Sequence, residues 1–330
     1  MTAGGKQTGS ARSVAVLGAG SWGTTFAKIL ADAAAAAGDP RTIRLWGRRA
    51  EVVDQINTSH VNAQYLKDVQ LPESISASTD VAAVLKDADL VVIAVPAQSL
   101  RPQLREWKGL IAPDAMVVSL MKGLELGTDA RMSEVIGEEL GLPAERIAIV
   151  SGPNLAMEIA REEPTASVVA CTDSAAAGWI ARSCTAPYFR PYTTADVVGV
   201  EIGGIVKNVI ALAVGICEGK QMGDNTKASV ITRGLAGLGD LVATCSSPLS
   251  RNHTAGRLLG QGLTLEEVGQ KMTQTAEGIK SGQAVHELAG KLGVEMPITA
   301  AVVAVLAGKL SVDQLGPVLL SRELKPEGDY

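Results

Sequence analysis

Ser13-Val-Ala-Val-Leu17 followed by Gly18-Ala-Gly20-Ser-Trp-Gly23 carries the pattern that sets the fold of the first half of the chain. A short apolar run ends in Gly-x-Gly-x-x-Gly, and an alanine-rich helical stretch, Thr24 to Ala37, follows. The pattern carries meaning in this context, after a strand and opening a helix. The first glycine makes the turn, the second lets a pyrophosphate approach the backbone, and the third lets helix and strand pack closely. Unpaired N–H groups and a positive dipole end at the helix N-terminus then face the phosphates. Gly18, Gly20, Ser21, Trp22 and Gly23 are therefore candidates for holding a dinucleotide. Trp22 has a plainer reading as packing for the first helix.

Further strands are expected at Thr42 to Trp46, Leu90 to Val95, Ala115 to Leu120 and Ile147 to Val150. Helical stretches such as Asp80 to Lys86 and Arg131 to Leu140 fall between them, and Ser167 to Ala170 and Phe189 to Tyr192 extend the sheet. This alternation predicts an α/β fold, a Rossmann-like doubly wound parallel sheet. The second strand leads into Arg48-Arg49 where an NAD site usually places a carboxylate for the ribose 2′-OH. Two arginines in its place favour NADPH over NADH. The bland reading is a solvated pair of charges at a strand end.

Near Ala195 the strands stop, and helices separated by glycine turns take over. The expected organisation is a disordered polar leader over residues 1–12, a dinucleotide-binding domain over 13–194, and an all-α substrate and catalytic domain over 195–330. Such a plan predicts an active site in the cleft between the two halves. The helical half opens on a run from Val197 to Ile216 that is apolar all round, with Glu201, Lys207 and Asn208 near its centre. That length reaches across a bilayer, but the three polar residues argue for burial in protein. Desolvation disfavours the charged form of a buried lysine and moves its pKa toward neutrality, where a proton donor works best. The structural alternative is a lysine that snorkels to the surface or pairs with Glu201.

Composition narrows the function classes. The 330 residues are 46% hydrophobic and 20% charged, with a net charge of −5, which describes an ordinary globular chain. No basic block invites nucleic acid or an anionic membrane. Aromatic residues make up 3%, too few for base-stacking platforms. The four cysteines (Cys171, Cys184, Cys217, Cys245) and three histidines show no metal spacing, so no metal is expected. A cytoplasmic location is the default, since the leader lacks an apolar centre. The apolar helical half makes a homodimer the expected assembly.

Several polar clusters stand at strand ends or helix starts. Val95-Pro-Ala-Gln98 and Met121-Lys122-Gly123 each follow a strand at the carboxyl edge, where ligands bind in such sheets. Ser151-Gly152-Pro-Asn154 sits between a strand and a helix, and a plain asparagine N-cap explains it nearly as well. Gly237-Leu-Gly-Asp240 with Thr244 places an acid and a hydroxyl one turn apart if helical. Ser250-Arg251-Asn252 supplies an arginine fork suited to a dianionic phosphate.

These motifs, together with Glu201-Ile-Gly-Gly-Ile-Val-Lys-Asn208 and Gly223-Asp-Asn-Thr-Lys227, fall in an order that resembles bacterial NAD(P)-dependent glycerol-3-phosphate dehydrogenase. The resemblance covers nearly the whole chain beyond the leader. It implies reversible reduction of dihydroxyacetone phosphate to sn-glycerol 3-phosphate, feeding phospholipid synthesis. It casts Lys207 as proton donor and acceptor, Lys122 as the lysine holding substrate and cofactor, and Asp240 as support for Lys207. Thr244 lines the substrate site, and Arg251 and Asn252 bind the substrate phosphate with Gly152, Asn154 and Ser250 nearby. Ser21, Trp22, Arg48, Arg49, Lys122, Ala156, Arg251 and Glu277 take cofactor-contacting positions.

One departure from the pattern matters. Relatives carry further helix between their equivalents of Ile231-Thr-Arg-Gly-Leu235 and Gly237-Leu-Gly-Asp240. Here the two abut, shortening the helical domain near 235–237 by about two dozen residues, or some six turns. Two other readings stay open at this stage. One is an inactive isoform that binds cofactor without turnover; the other is a related two-domain hydroxy-acid reductase.

Overall fold

The computed structural model describes residues 9–234, 250–272 and 276–315. In chain order the first part runs β1 (Ser13–Leu17), α1 (Ser21–Ala37), β2 (Thr42–Trp46), α2 (Ala50–Ser59), β3 (Val61–Asn62), β4 (Leu66–Gln70) and β5 (Ile75–Ser78). It continues through α3 (Val81–Leu85), β6 (Leu90–Ile93), α4 (Leu100–Trp107), β7 (Met116–Ser119) and α5 (Met132–Leu140). After these come β8 (Ile147–Ser151), α6 (Ala156–Ala160), β9 (Thr165–Ala170), α7 (Ser174–Cys184) and β10 (Phe189–Thr194).

Eight strands form one sheet in the order β10-β9-β8-β7-β6-β1-β2-β5. Residue alternation along the strands divides the core between the two faces. Val14, Val16, Leu90, Val92 and Val118 share one cluster with Phe26, Ile29 and Leu30 of α1. Ala15, Leu17, Val91, Ile93 and Val117 share the other with Leu100, Leu104 and Trp107 of α4 and Val135 and Ile136 of α5. Fully burying each such Val, Leu or Ile side chain contributes about 1.5–3 kcal/mol. Helices on both faces make the sheet doubly wound.

The sheet departs from the all-parallel expectation at one pair: β8 and β9 are antiparallel, while β9 and β10 are parallel to each other. The connection from Ser151 to Thr165 holds only the five-residue α6, and the chain comes back beside β8 instead of crossing over the sheet. Strand β5 and the antiparallel hairpin of β3 and β4 were not expected from the sequence. The first helix also starts earlier than expected, at Ser21 instead of Thr24.

The second part holds α8 (Val197–Gly219), α9 (Asp224–Gly234), α10 (Arg251–Gly260), α11 (Leu265–Lys271), α12 (Glu277–Leu292) and α13 (Pro297–Leu306). By compactness the described residues fall into two units. One takes in those up to Glu125 together with Ala130–Ile202, and the other Leu126–Asp129 together with those from Gly203 onward. The division falls within α8, whose Glu201 carboxylate, in the first unit, is held by Arg131 Nη1 at 2.7 Å and the Ser133 N–H at 2.9 Å.

Helix α8 is long and apolar enough to cross a bilayer, yet 72% of its most apolar 18-residue window is buried inside the protein. Its residues Val209, Leu212, Ala213 and Ile216 form the core of the second unit with Ala255 and Leu259 of α10 and Val302 of α13. Glycines let α8 and α10 approach to backbone contact. A Cβ on Gly215 would sit 2.1 Å from the His253 carbonyl oxygen, and one on Gly219 2.1 Å from that of Arg257. From the other side, a Cβ on Gly260 would meet the Ile216 carbonyl oxygen at 2.3 Å.

Candidate active site

The glycine turn after β1 divides its labour as the spacing demands. Gly18 has φ +127°, and a Cβ there would lie 2.5 Å from the Ala94 carbonyl oxygen, at the end of neighbouring β6. On Gly23 a Cβ would lie 1.9 Å from the Gly18 carbonyl oxygen. Around Gly20, its own chain neighbours aside, no atom of the described residues lies within 4 Å of where a Cβ would be, so the backbone there is open to approach. Gly20 is also the N-cap of α1, where no side chain caps the helix and no acidic residue occupies the first turn. The turn lies between β1 and β6, at the carboxyl end of the sheet where strand order reverses. An open second glycine and an uncapped helix N-terminus fit a dinucleotide pyrophosphate.

Trp22 packs on the core, edge to face with Phe26 at 5.6 Å between ring centroids. Ser21 donates its hydroxyl to the Tyr65 carbonyl oxygen at 3.2 Å. Beyond β2, Arg48 is exposed and Arg49 is half-buried as the N-cap residue of α2. Arg49 lies over the Tyr65 ring, 5.2 Å from its centroid, and donates to the Tyr65 hydroxyl.

The other carboxyl-edge turns of the first unit meet. Lys122, half-buried after β7, donates its ammonium to the Gly152 carbonyl oxygen at 3.0 Å. Gly152 has φ +152°, and a Cβ there would press on Ser167 at 3.1 Å. Asn154 does not cap α6: the N-cap residue is Leu155, and no side chain caps the helix. The Asn154 Oδ1 accepts from the Ser167 hydroxyl at 3.4 Å, while its Nδ2 is buried with no acceptor among the described residues. Next in chain, the Ala156 carbonyl oxygen accepts from Thr25 Oγ1 of α1 at 3.1 Å, tying α6 to the helix that follows the glycine turn. Sequence reading missed the brace on the Lys122 segment. Gln98 donates to the Leu124 carbonyl oxygen at 2.8 Å, and Arg101 clasps both carboxylate oxygens of Glu125 at 2.7 and 2.8 Å.

Within the second unit, Lys207 is 3% exposed on α8 and Asn208 5%. Ser250 is the N-cap of α10, its hydroxyl accepting from the His253 N–H at 3.3 Å. Asn252 is buried, and its Oδ1 accepts from the Gly278 N–H at the start of α12 at 2.8 Å. A Cβ on Gly278 would lie 2.6 Å from the Asn208 carbonyl oxygen and 2.9 Å from Asn252 Oδ1, so α8, α10 and α12 converge at this glycine. Arg251 is solvent-exposed, yet the protein around its head group lowers the guanidinium pKa by desolvation, with Glu277 opposing. The Glu277 carboxyl is pushed up by burial, with Arg251 opposing that shift. Each charge thus favours the ionised form of the other. His253, one residue past Asn252, is buried and faces Glu218 at 2.8 Å; burial still lowers its pKa, with Glu218 opposing. Asp240 and Thr244 lie outside the described residues.

The family model for the NAD-dependent glycerol-3-phosphate dehydrogenase N-terminus matches residues 13–177, and the C-terminus model matches 196–236 and 233–316. Glycerol-3-phosphate dehydrogenase [NAD(P)+] of Thermobifida fusca is 54% identical over 334 residues, covering 95% of this chain and 98% of the relative. Its counterpart in Streptomyces coelicolor is 52% identical, with 95% and 97% covered. The crystal structure of glycerol-3-phosphate dehydrogenase from Coxiella burnetii superposes with a TM-score of 0.86 at 35% identity, over 94% of this chain and 99% of that one. Matched in both halves by the family's models and more than half identical to a named relative along nearly its whole length, the chain belongs to the NAD-dependent glycerol-3-phosphate dehydrogenase family.

Proposed function

We propose that this chain is an oxidoreductase that reversibly reduces dihydroxyacetone phosphate to sn-glycerol 3-phosphate with NADPH or NADH, for glycerophospholipid synthesis. The relatives named glycerol-3-phosphate dehydrogenase [NAD(P)+] support it. They also favour it over a hydroxy-acid reductase. Among the structural observations, the one that carries it is Lys207, 3% exposed in the core of a helical unit whose neighbouring α10 opens on Ser250-Arg251-Asn252.

The nicotinamide cofactor supplies the hydride when bound. The Gly18 to Gly23 turn and the N-terminus of α1 would receive its pyrophosphate, with Ser21, Trp22, Ala156, Arg251 and Glu277 as further contacts. Arg48 and Arg49 would face the ribose 2′ position and favour NADPH. Lys207 would protonate the carbonyl oxygen as it becomes an alkoxide, a role that a positioned acid typically accelerates by about 10²–10⁴-fold. Lys122 would hold substrate and cofactor, and Asp240 would support Lys207. Arg251 would anchor the substrate phosphate away from the reacting carbon, so that binding energy serves orientation. Gly152, Asn154, Thr244, Ser250 and Asn252 would complete the substrate contacts. Nδ2 supports the place of Asn154 as a buried donor with no acceptor among the described residues. Asn252 would offer its amide N–H groups to the phosphate, its oxygen being an acceptor that already serves Gly278.

We also infer that the helical domain is shortened near 235–237. The match to the Thermobifida fusca relative runs over 334 residues yet takes in 95% of this 330-residue chain, so it spans positions at which this chain has none. The two stretches matched by the C-terminus model also overlap at 233–236. A homodimer in the cytoplasm completes the reading, and the three cysteines among the described residues, all buried and free, suit a reducing compartment.

Comparing dihydroxyacetone phosphate with dihydroxyacetone as oxidant of NADPH tests the reading. The phosphorylated ketone should be used far better, and Arg251→Met should abolish most of that advantage. Equal use of both ketones would remove the phosphate anchor from the account.

A further inference from the structure

The hairpin of β3 and β4, unexpected from the sequence, makes contacts at three points around the glycine turn and the end of β2. Asn62, fully buried, donates to the Ala19 carbonyl oxygen at 3.1 Å and to Thr24 Oγ1 at 2.9 Å, so it braces the glycine turn from below. At the hairpin tip, the Tyr65 carbonyl oxygen accepts from Ser21 at 3.2 Å, which ties the tip to the start of α1. The Tyr65 side chain then reaches Arg49: its ring lies under the guanidinium at 5.2 Å, and its hydroxyl accepts from Nη2. Among the described residues, the carboxylate facing Arg49 is that of Glu51, 4.0 Å away and 68% exposed.

We propose that Tyr65 is a specificity-determining residue, holding Arg49 by a cation–π contact and a hydrogen bond beside the glycine turn so that its guanidinium is preset for a 2′-phosphate. This rests on the reading that Arg49 faces the ribose 2′ position. The hydrogen bond to the Tyr65 hydroxyl takes one N–H of Nη2, and the remaining N–H groups of the guanidinium stay available to a phosphate. Fixing the side chain in advance removes the rotamer entropy that a mobile arginine loses on binding. The hold on Ser21 comes from the Tyr65 backbone and survives side-chain replacement. Tyr65 therefore acts on the 2′ position, while the pyrophosphate turn keeps its brace.

The test is titration of the full chain with adenosine 2′,5′-bisphosphate and 5′-AMP, comparing wild type, Tyr65→Phe, Tyr65→Leu and Arg49→Leu by calorimetry. Tyr65→Leu should weaken the bisphosphate about three- to tenfold and leave 5′-AMP unchanged, the scale of one lost cation–π contact. Tyr65→Phe keeps the ring and should lose less. Arg49→Leu should lose at least as much as Tyr65→Leu. Equal weakening of both ligands by Tyr65→Leu would make the tyrosine a general prop and overturn the proposal. So would a Tyr65→Leu protein that binds both ligands like wild type while Arg49→Leu loses the bisphosphate; the arginine reading would then stand alone. Indifference of Arg49→Leu to the 2′-phosphate would instead sink that reading, and the proposal with it.

Discussion

Gly256 of α10 lies so close to Leu212 of α8 that a Cβ added to the first would sit 2.0 Å from the carbonyl oxygen of the second. This is backbone against backbone, with no flexible side chain able to yield. The same closeness recurs one turn along, where Gly260 meets the Ile216 carbonyl oxygen. Replacing Gly256 with alanine should therefore destabilise the protein by about 3 kcal/mol or more, at the upper end of overpacking costs. A lowered urea midpoint together with lowered turnover is expected, because α8 carries Lys207. Wild-type stability in Gly256→Ala would show that the helices separate without cost.

The glycines of the first turn should separate by role. Gly23→Ala meets the Gly18 carbonyl oxygen and should lower the melting temperature. Gly20→Ala meets nothing within 4 Å and sits at φ −80°, where alanine is at ease. It should melt like wild type and yet bind NADPH at least about tenfold more weakly, since its methyl group would stand where the pyrophosphate approaches. Fluorescence titration beside a thermal melt reads both. Unaltered NADPH affinity in Gly20→Ala would remove the pyrophosphate from that turn.

Protonation of His253 offers a pH signature. Burial lowers its pKa below 6.5, with Glu218 opposing and Arg257 and Lys227 adding to the lowering. The unfolded chain then binds the proton more readily than the folded one. Stability is accordingly full above 6.5 and is lost as pH falls from there toward the folded pKa. His253→Gln should flatten that limb of the melting temperature against pH. An unchanged limb in the variant would assign the acid sensitivity elsewhere.

The plan of the first unit was legible because strand, glycine turn and helix are local patterns: Ser13 to Leu17 and Gly18 to Gly23 fold as their spacing implies. Burial of Lys207 was legible for the same reason, since apolar residues surround it on every side of one helix. What stayed hidden is non-local or faint. The reversal between β8 and β9 leaves no mark on the composition of either strand. Val61-Asn62 and Leu66 to Gln70 are short and half exposed, without the β-branched run that announces a buried strand. Asn252 gives its oxygen to Gly278, 26 residues away, so a side chain that read as a phosphate ligand is partly spoken for by architecture. The braces on Glu125 by Arg101 and on Arg49 by Tyr65 join surface-type residues whose spacing forms no motif.

The central claim is that Lys207 protonates the ketone oxygen, and its most direct test is NADPH oxidation on adding dihydroxyacetone phosphate, measured for wild type and Lys207→Met. Wild type should oxidise the cofactor promptly. The variant should fold, bind NADPH like wild type, and turn over about 10²–10⁴-fold more slowly. A Lys207→Met protein that oxidises NADPH at the wild-type rate would contradict the account.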